Sequence, residues 1–384
     1  MKNLLISFIR EMYRGKKEIP LHEPYLKGNE QEYVDEAVQS ACVASMGRFV
    51  ALFEENVRDF TGCGKAIATV SGSSALQSTL YLAGVRRDDY VITQSLTFVA
   101  IGSVLHHMGA TPIFLDVSEE SMGLCPDSLD GFLEEHAFVD DQGHCIHREL
   151  HRRIKAVVPM HTFGHPAEMD QILRIAKRWN LVVIEDAAQS LGSHYKTKHT
   201  GTLADFGILS FNGNKIITSG GGGMILCKNE EDGLAAEHLT STAKVPHSYE
   251  MAHDKPGFNH RLPNINAALG CAQMEILTDF LDRKRRLAGH YENFFSGTQC
   301  EFISEPSYAE SNYWLNSIVC PDKTFRDRIL RATNESGIAT RAVWKPLHLL
   351  PMFKDCIAQE LKRTEKLADL VISLPSSPMF DESF

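Results

Sequence analysis

The chain has 384 residues, enough for a large core and for two domains, since single hydrophobic cores stop growing at about 250–300 residues. A formal net charge of -10 excludes a sequence-independent nucleic-acid binder, which needs a basic face to displace counterions from phosphates. Nine cysteines scattered from Cys42 to Cys356 without repeated short spacing read as reduced thiols of a cytoplasmic protein rather than as a disulfide framework.

The N-terminus, MKNLLISFIREMYRGKK, holds an apolar run of only six residues, too short for a signal-peptide core or a membrane span. Its apolar residues Leu4, Leu5, Phe8, Ile9 and Met12 recur at helical spacing, which predicts a short amphipathic helix packed on the body, within an extension covering 1–20. From Lys65 onward strand-like and helix-like patterns alternate: KAIATV with SSALQSTLYLA, DYVIT with VAIGSVLHHM, TPIFLDV with PDSLDGFLEE, IKAVVPM with EMDQILRIAKRW, then LVVIED. Such alternation predicts an α/β fold with right-handed crossovers and a mostly parallel sheet covered by helices on both faces. The polar, histidine-rich stretch 134–153 reads as a loop or insertion. Its His144, Cys145, His147 and His151 have ligand chemistry but no recognised metal spacing, so no metal site is expected.

FGILSF and GGGMILC read as two further buried strands flanking a run of four glycines, and KIIT between them is also strand-like. After Val245 the pattern shifts to a Pro-, His- and Gly-rich loop, a long helix around Pro263–Tyr291 and shorter elements. This divides the chain into a large domain, 21–245, and a smaller α+β C-terminal domain, 246–384.

Ligands of open α/β sheets bind at the carboxyl ends of the strands, so residues just after each strand carry the chemistry. After the first strand, Gly72 permits a tight turn and Ser73 and Ser74 begin a helix, which makes either an anion cradle or a plain N-cap. Neither G-x-G-x-x-G after a strand nor G-x-x-x-x-G-K-[ST] occurs, against a dinucleotide or nucleoside-triphosphate site. Asp186 ends a very apolar strand, where a carboxylate needs a cation or hydrogen bonds, or else caps the next segment; Gln189 follows one turn later. Phe98 either stacks on a planar ligand or fills the core. Lys215, an isolated cation before the glycines, completes the set. Phosphate cradle, carboxylate, aromatic face and lysine together match the needs of pyridoxal 5'-phosphate.

The run VIEDAAQSLG followed by GTLADFGILSFNGNKIITSGGGGMI closely resembles the DegT/DnrJ/EryC1/StrS family of sugar-nucleotide aminotransferases. So do IPLHEPYLKGNEQEYV, SGSSAL, TFVA, VPMHTFGHPAEMD, PGFNHRLPNINAALG and KPLHLLPMF, and the resemblance spans nearly the whole chain. It implies the type I, aspartate aminotransferase-like fold of pyridoxal phosphate enzymes, with the cofactor cycling between PLP and PMP. Carried over, Lys215 bonds the cofactor, Asp186 pairs with its ring nitrogen, Gln189 lies near its ring oxygen and Phe98 stacks on the ring. Ser73, Ser74 and Ser210 hold its phosphate beside Gly72. Asn259 reaches the phosphate of a neighbouring subunit, implying a homodimer with composite sites, and Arg261 and His348 face the substrate. The implied substrates are L-glutamate and a nucleotide-linked 4-keto-6-deoxy sugar. PYLKGNE and ASMGRFVALFEE most resemble the branch acting on UDP-linked 2-acetamido-4-keto-2,6-dideoxy sugars, toward bacillosamine-like or legionaminic-type products. Where many relatives have Gly-Glu-Gly-Gly, this chain has Gly220 to Gly223 unbroken. A dehydratase branch of the same fold replaces the lysine with histidine, and a non-catalytic scaffold is the remaining alternative.

Overall fold

The computed structural model describes residues 1–381. The elements, in chain order, are α1 (Lys2–Met12), α2 (Glu30–Gln39), α3 (Arg48–Thr61), β1 (Lys65–Thr69), α4 (Gly72–Leu82), β2 (Tyr90–Gln94), α5 (Ala100–Met108), β3 (Thr111–Leu115), α6 (Pro126–His136), β4 (Ile154–Val158), α7 (Met169–Arg178), β5 (Val182–Asp186), β6 (Phe206–Ser210), β7 (Gly223–Cys227) and α8 (Glu230–Thr240). There follow α9 (Asn264–Glu275), α10 (Leu277–Phe295), β8 (Glu301–Phe302), β9 (Ser317–Val319), α11 (Lys323–Glu335), β10 (Arg341–Ala342), β11 (Ile357–Ala358), α12 (Lys362–Leu370) and β12 (Val371–Ser373).

Eight strands form the main sheet in the order β1-β7-β6-β5-β4-β2-β3-β11. Every neighbouring pair is parallel except those made by β7, which runs antiparallel to both β1 and β6. The strands are apolar throughout because both faces are covered. Alternate residues serve opposite layers: Ile67, Ile208 and Ile225 pack with Leu76 and Leu80 of α4. Ala68, Leu209 and Met224 pack with Phe49 and Phe53 of α3. Farther along the sheet, Ile92 and Val157 meet Leu129 and Phe132 of α6 and Ile172 of α7.

A second, four-stranded antiparallel sheet has the order β8-β9-β12-β10. Its core joins Ile318 and Ile372 to Leu287 and Tyr291 of α10 and to Leu5, Ile9 and Met12 of α1, so the N-terminal helix packs as an amphipathic element on this smaller sheet. The segment after residue 245 also returns to the large sheet: α9 packs on α2 and α3, and β11 pairs with β3.

Three sequence expectations change. KIIT forms no strand, although Ile216 and Ile217 are buried; β6 already pairs with β5 and β7, so no free edge remains for it. The single long helix is two, broken at Ile276 (φ -105°, ψ 0°), which lets α9 and α10 face different cores. The histidine-rich stretch contains a hairpin, Ala137–Val139 with Cys145–His147, turned by Gly143 at φ 81° and by Asp140 Oδ1 accepting from the amides of Gln142 and His144. Cys145 and His147 are buried in it, and no cluster of three metal-ligating side chains exists among the described residues. No described helix is long and apolar enough to cross a membrane.

Candidate active site

The ends of β1, β4, β5 and β6 open into one cavity of about 220 Å³, whose lining includes Gly72, Ser73, Phe98, Asp186, Gln189, Ser210 and Lys215. Seven of the residues singled out in the sequence therefore converge from segments up to 143 positions apart (72 to 215).

The anion cradle is built on the start of α4. Its N-cap is Ser71, whose Oγ accepts from Ser74 N at 3.1 Å and lies 3.0 Å from Ser74 Oγ. Ser74 is thus tied into its own helix turn and does not line the cavity, while the amides of Gly72 and Ser73 head the helix as free-facing donors. Glycine is required around this point by close approach. A Cβ on Gly223 would lie 2.3 Å from Ser71 O, and one on Gly72 3.0 Å from Ser210 Cβ.

Asp186 is 8% exposed. One carboxylate oxygen accepts from Ala188 N at 3.1 Å, leaving the other for the cavity. Burial raises its pKa, while the Ala188 amide, Lys215 and His161 oppose that shift. Behind it lies a buried pair in which His161 Nδ1 accepts from Ala167 N, so Nε2 donates to Glu185 at 3.0 Å. Glu185 also accepts from the amides of Gly201, Leu203 and Ala204, which fixes this layer rigidly.

Lys215 sits in the loop after β6, its amide donating to Asn212 O at 2.9 Å. Its Nζ lies 4.1 Å from the ring centroid of Trp314, whose Nε1 donates to Asn214 O at 2.7 Å. Burial lowers the lysine pKa to about 8, with Asp186 pulling the other way. Gln189 is held by Phe163 N, which donates to its Oε1 at 2.8 Å, and Phe98 stays 53% exposed as one wall. A buried carboxylate, a lysine with a lowered pKa, an aromatic wall and an anion-binding helix end fit a planar cofactor bearing a phosphate, a basic ring nitrogen and an electrophilic carbon.

Besides Ser74, three predicted residues are not brought to this cavity within the chain. Arg261 pairs with Glu54 at 2.7 Å and is mostly buried, its own backbone bridging Thr69 at the end of β1. His348 accepts from Ser95 Oγ at 2.8 Å through Nδ1 and donates through Nε2 to Glu365 at 3.3 Å. Asn259 is exposed and bridges Ser241. Conversely, Ser71, Met160, Trp314, Arg341 and Trp344 line the site without having been singled out. The one signal available was rarity: the chain has three tryptophans, and two of them are here.

The family model described as the DegT/DnrJ/EryC1/StrS aminotransferase family matches residues 24–383. EpsN of Bacillus subtilis (strain 168), provisionally described as a pyridoxal phosphate-dependent aminotransferase, is 34% identical over 371 residues, 95% of this chain and 92% of its own length. The GDP-perosamine synthase of Escherichia coli O157:H7 is 34% identical over 363 residues, 94% of each chain. Among solved structures, a DegT DnrJ EryC1 StrS aminotransferase from Brucella abortus superposes with a TM-score of 0.84 at 26% identity, over 92% of each chain.

Proposed function

The chain belongs to the DegT/DnrJ/EryC1/StrS aminotransferase family and is a pyridoxal phosphate-dependent sugar aminotransferase, and on that premise we propose that it moves nitrogen from L-glutamate to the C4 keto carbon of a nucleotide-linked 4-keto-6-deoxy sugar. The observation that carries this reading is the half-buried Lys215 and the buried Asp186 lining one cavity beside the start of α4. When bound, pyridoxal phosphate supplies an electron sink for negative charge developing at a substrate carbon. Gly72, Ser73 and Ser210 hold its phosphate, Phe98 covers its ring and Gln189 orients it. Asp186 holds a proton at the ring nitrogen, which a buried carboxylate does well because little water competes for it. Lys215 Nζ takes the proton from the donor's α-carbon and returns one at the acceptor carbon, a role suited to an amine whose pKa of about 8 lies near working pH.

For the sugar, a UDP-linked 2-acetamido-2,6-dideoxy-4-hexulose is the first choice, on the N-terminal wording of the sequence. A GDP-linked hexose is the second reading, favoured by 34% identity to a GDP-perosamine synthase. The enzyme is proposed to act as a homodimer, each site completed by Asn259 of the other subunit. Incubating the protein with glutamate and a panel of UDP-, GDP- and dTDP-linked 4-keto sugars, with NMR of the products, tests the assignment. Lys215→Ala is expected to fold and to lose several orders of magnitude in turnover. Turnover within about tenfold of wild type would remove Lys215 from the chemistry.

A further inference from the structure

The loops after three adjacent strands of the main sheet, β2, β4 and β5, are tied together by buried contacts that meet at one sulfur atom, that of Met160. Met160 lies just past β4, lines the main cavity and is 1% exposed, and its backbone bridges Asp186 at the end of β5. Thr97 Oγ1, from the loop after β2, donates to Met160 Sδ at 3.1 Å. Gln189 Nε2, from the loop after β5, donates to the same sulfur at 3.6 Å. Thr97 and Gln189 are themselves buried, so little water competes for either bond. A buried methionine ordinarily fills an irregular gap with a flexible apolar chain. Two donors on one thioether, a weak acceptor, mark a sulfur that holds polar groups in place.

The Gln189 amide is thereby defined at both ends. Phe163 N donates to Oε1 at 2.8 Å, which identifies that atom as the oxygen, and the thioether accepts from the other, which must be the nitrogen. A single bond at Oε1 would let the amide plane swivel about it, whereas the second bond, at Nε2, fixes the plane. Methionine has three rotatable bonds of its own, and the Thr97 hydroxyl pins its sulfur. Nε2 carries two hydrogens, and the second has no partner among the described residues, although Gln189 lines the cavity. Buried N–H groups are nearly always satisfied, so this one is kept for a group that enters the cavity. On the pyridoxal phosphate reading that group is the cofactor's ring oxygen.

We propose that Met160 is a positioning residue of the active site: its thioether, pinned by Thr97, holds the amide plane of Gln189 so that the remaining Nε2 hydrogen serves the cofactor's ring oxygen. This inference rests on the reading of Gln189 beside that oxygen and deepens it, by naming what keeps Gln189 a donor there.

The test strips the full-length protein of cofactor and reloads it with pyridoxal phosphate. It reads the affinity for the cofactor and the pH midpoint at which the bound cofactor's absorbance changes. Met160→Leu keeps the volume of the side chain and removes the acceptor, a swap that cores tolerate. A donor to an ionised oxygen favours the deprotonated form, so loosening it should raise the midpoint by about 0.5 units and weaken affinity about fivefold, the scale of one neutral hydrogen bond. Asp186, Lys215 and Arg341, the charged residues lining the cavity, are the same in every variant. Met160→Gln restores an acceptor of similar length and should return both values most of the way to wild type. Added to Gln189→Leu, Met160→Leu should change neither value further, because its effect passes through Gln189. Thr97→Val leaves Met160 in place but frees its sulfur, and should shift both values in the same direction. Unchanged values in Met160→Leu, or in Thr97→Val should the leucine variant not fold, overturn the proposal. So does a folded Met160→Gln as impaired as Met160→Leu, or an equal loss from Met160→Leu with and without Gln189, which would leave Met160 a packing residue. Wild-type behaviour of Gln189→Leu itself removes the premise, and the proposal with it. Protein that shows the full pattern of shifts yet aminates no keto sugar defeats the substrate reading alone and leaves this inference standing.

Discussion

At the residue scale the site works by burial. Lys215 and Asp186 have opposite responses to the same cause: loss of water disfavours the ammonium and the carboxylate alike, lowering one pKa and raising the other. Half of the Lys215 amine is then neutral at about pH 8 rather than 10.5, so its reaction with an aldehyde should rise through pH 8 and level off above it. Borohydride trapping of apoprotein with a small aldehyde across pH 6–11, read by peptide mass, checks this against the exposed lysines; a Lys215 midpoint no lower than theirs would contradict the burial argument. Asp186→Asn keeps the shape and the bond from Ala188 N but removes the charge. The cofactor should still bind, and turnover should fall about 10²–10³-fold, the scale of losing one preorganised electrostatic group. Normal transamination by that variant would return Asp186 to a capping role.

The element scale shows why the glycines stand where they do. β7 runs between β1 and β6, and its first residue, Gly223, presses on the turn that starts α4. A methyl group there would meet three backbone atoms, Ser71 O, Ser71 C and Gly72 N, all within 2.6 Å. Backbone cannot rotate away as a side chain can, so Gly223→Ala must push the strand off the helix end. It should cost at least about 1–3 kcal/mol and distort the phosphate cradle. Gly221 belongs to the same run, yet its nearest neighbour to an added Cβ is Val70 O at 3.9 Å. Gly221→Ala should stay within about 0.5 kcal/mol of wild type. Urea unfolding of the two variants side by side decides whether close approach, rather than flexibility of the whole run, is what the glycines provide.

At the scale of the molecule, the open question is what covers the exposed side of the cradle. Asn259 lies outside the cavity of its own chain, on a segment whose backbone passes beside Thr69 and Val70. If that asparagine serves the neighbouring subunit's phosphate, each site needs two chains. Mixing inactive Lys215→Ala chains with chains inactivated at Asn259 should then restore activity, because a mixed dimer collects both defects in one site and neither in the other. Two-fold symmetry sets the recovery at up to about half the wild-type value per mixed dimer. No recovery after verified subunit exchange would place Asn259 in its own chain's site. Lys284 illustrates the complementary point about internal assembly. Fully buried, it donates to Trp314 O and Ser376 O and so ties α10 to the segment that carries the tryptophan under Lys215.

The alternating apolar runs by themselves determined the large sheet and its covering helices, because period and strand-end position are local properties of the chain. The same local logic picked out Gly72, Ser73, Asp186, Gln189 and Lys215 at one end of that sheet, while Ser210 came only from the family resemblance. What stayed hidden was everything decided by a partner far along the chain. KIIT has strand composition, yet only the pairing of β6 with both β5 and β7 removes the edge it needed. Ser74 reads like an anion ligand until Ser71 takes its amide and its hydroxyl lies against the cap. Arg261 and His348 carry the right chemistry for a substrate, but Glu54, Ser95 and Glu365 hold them elsewhere in this chain. Trp314, Trp344 and Arg341 reach the cavity from the C-terminal third only because the chain folds back over the strand ends, a long-range closure that no local pattern encodes.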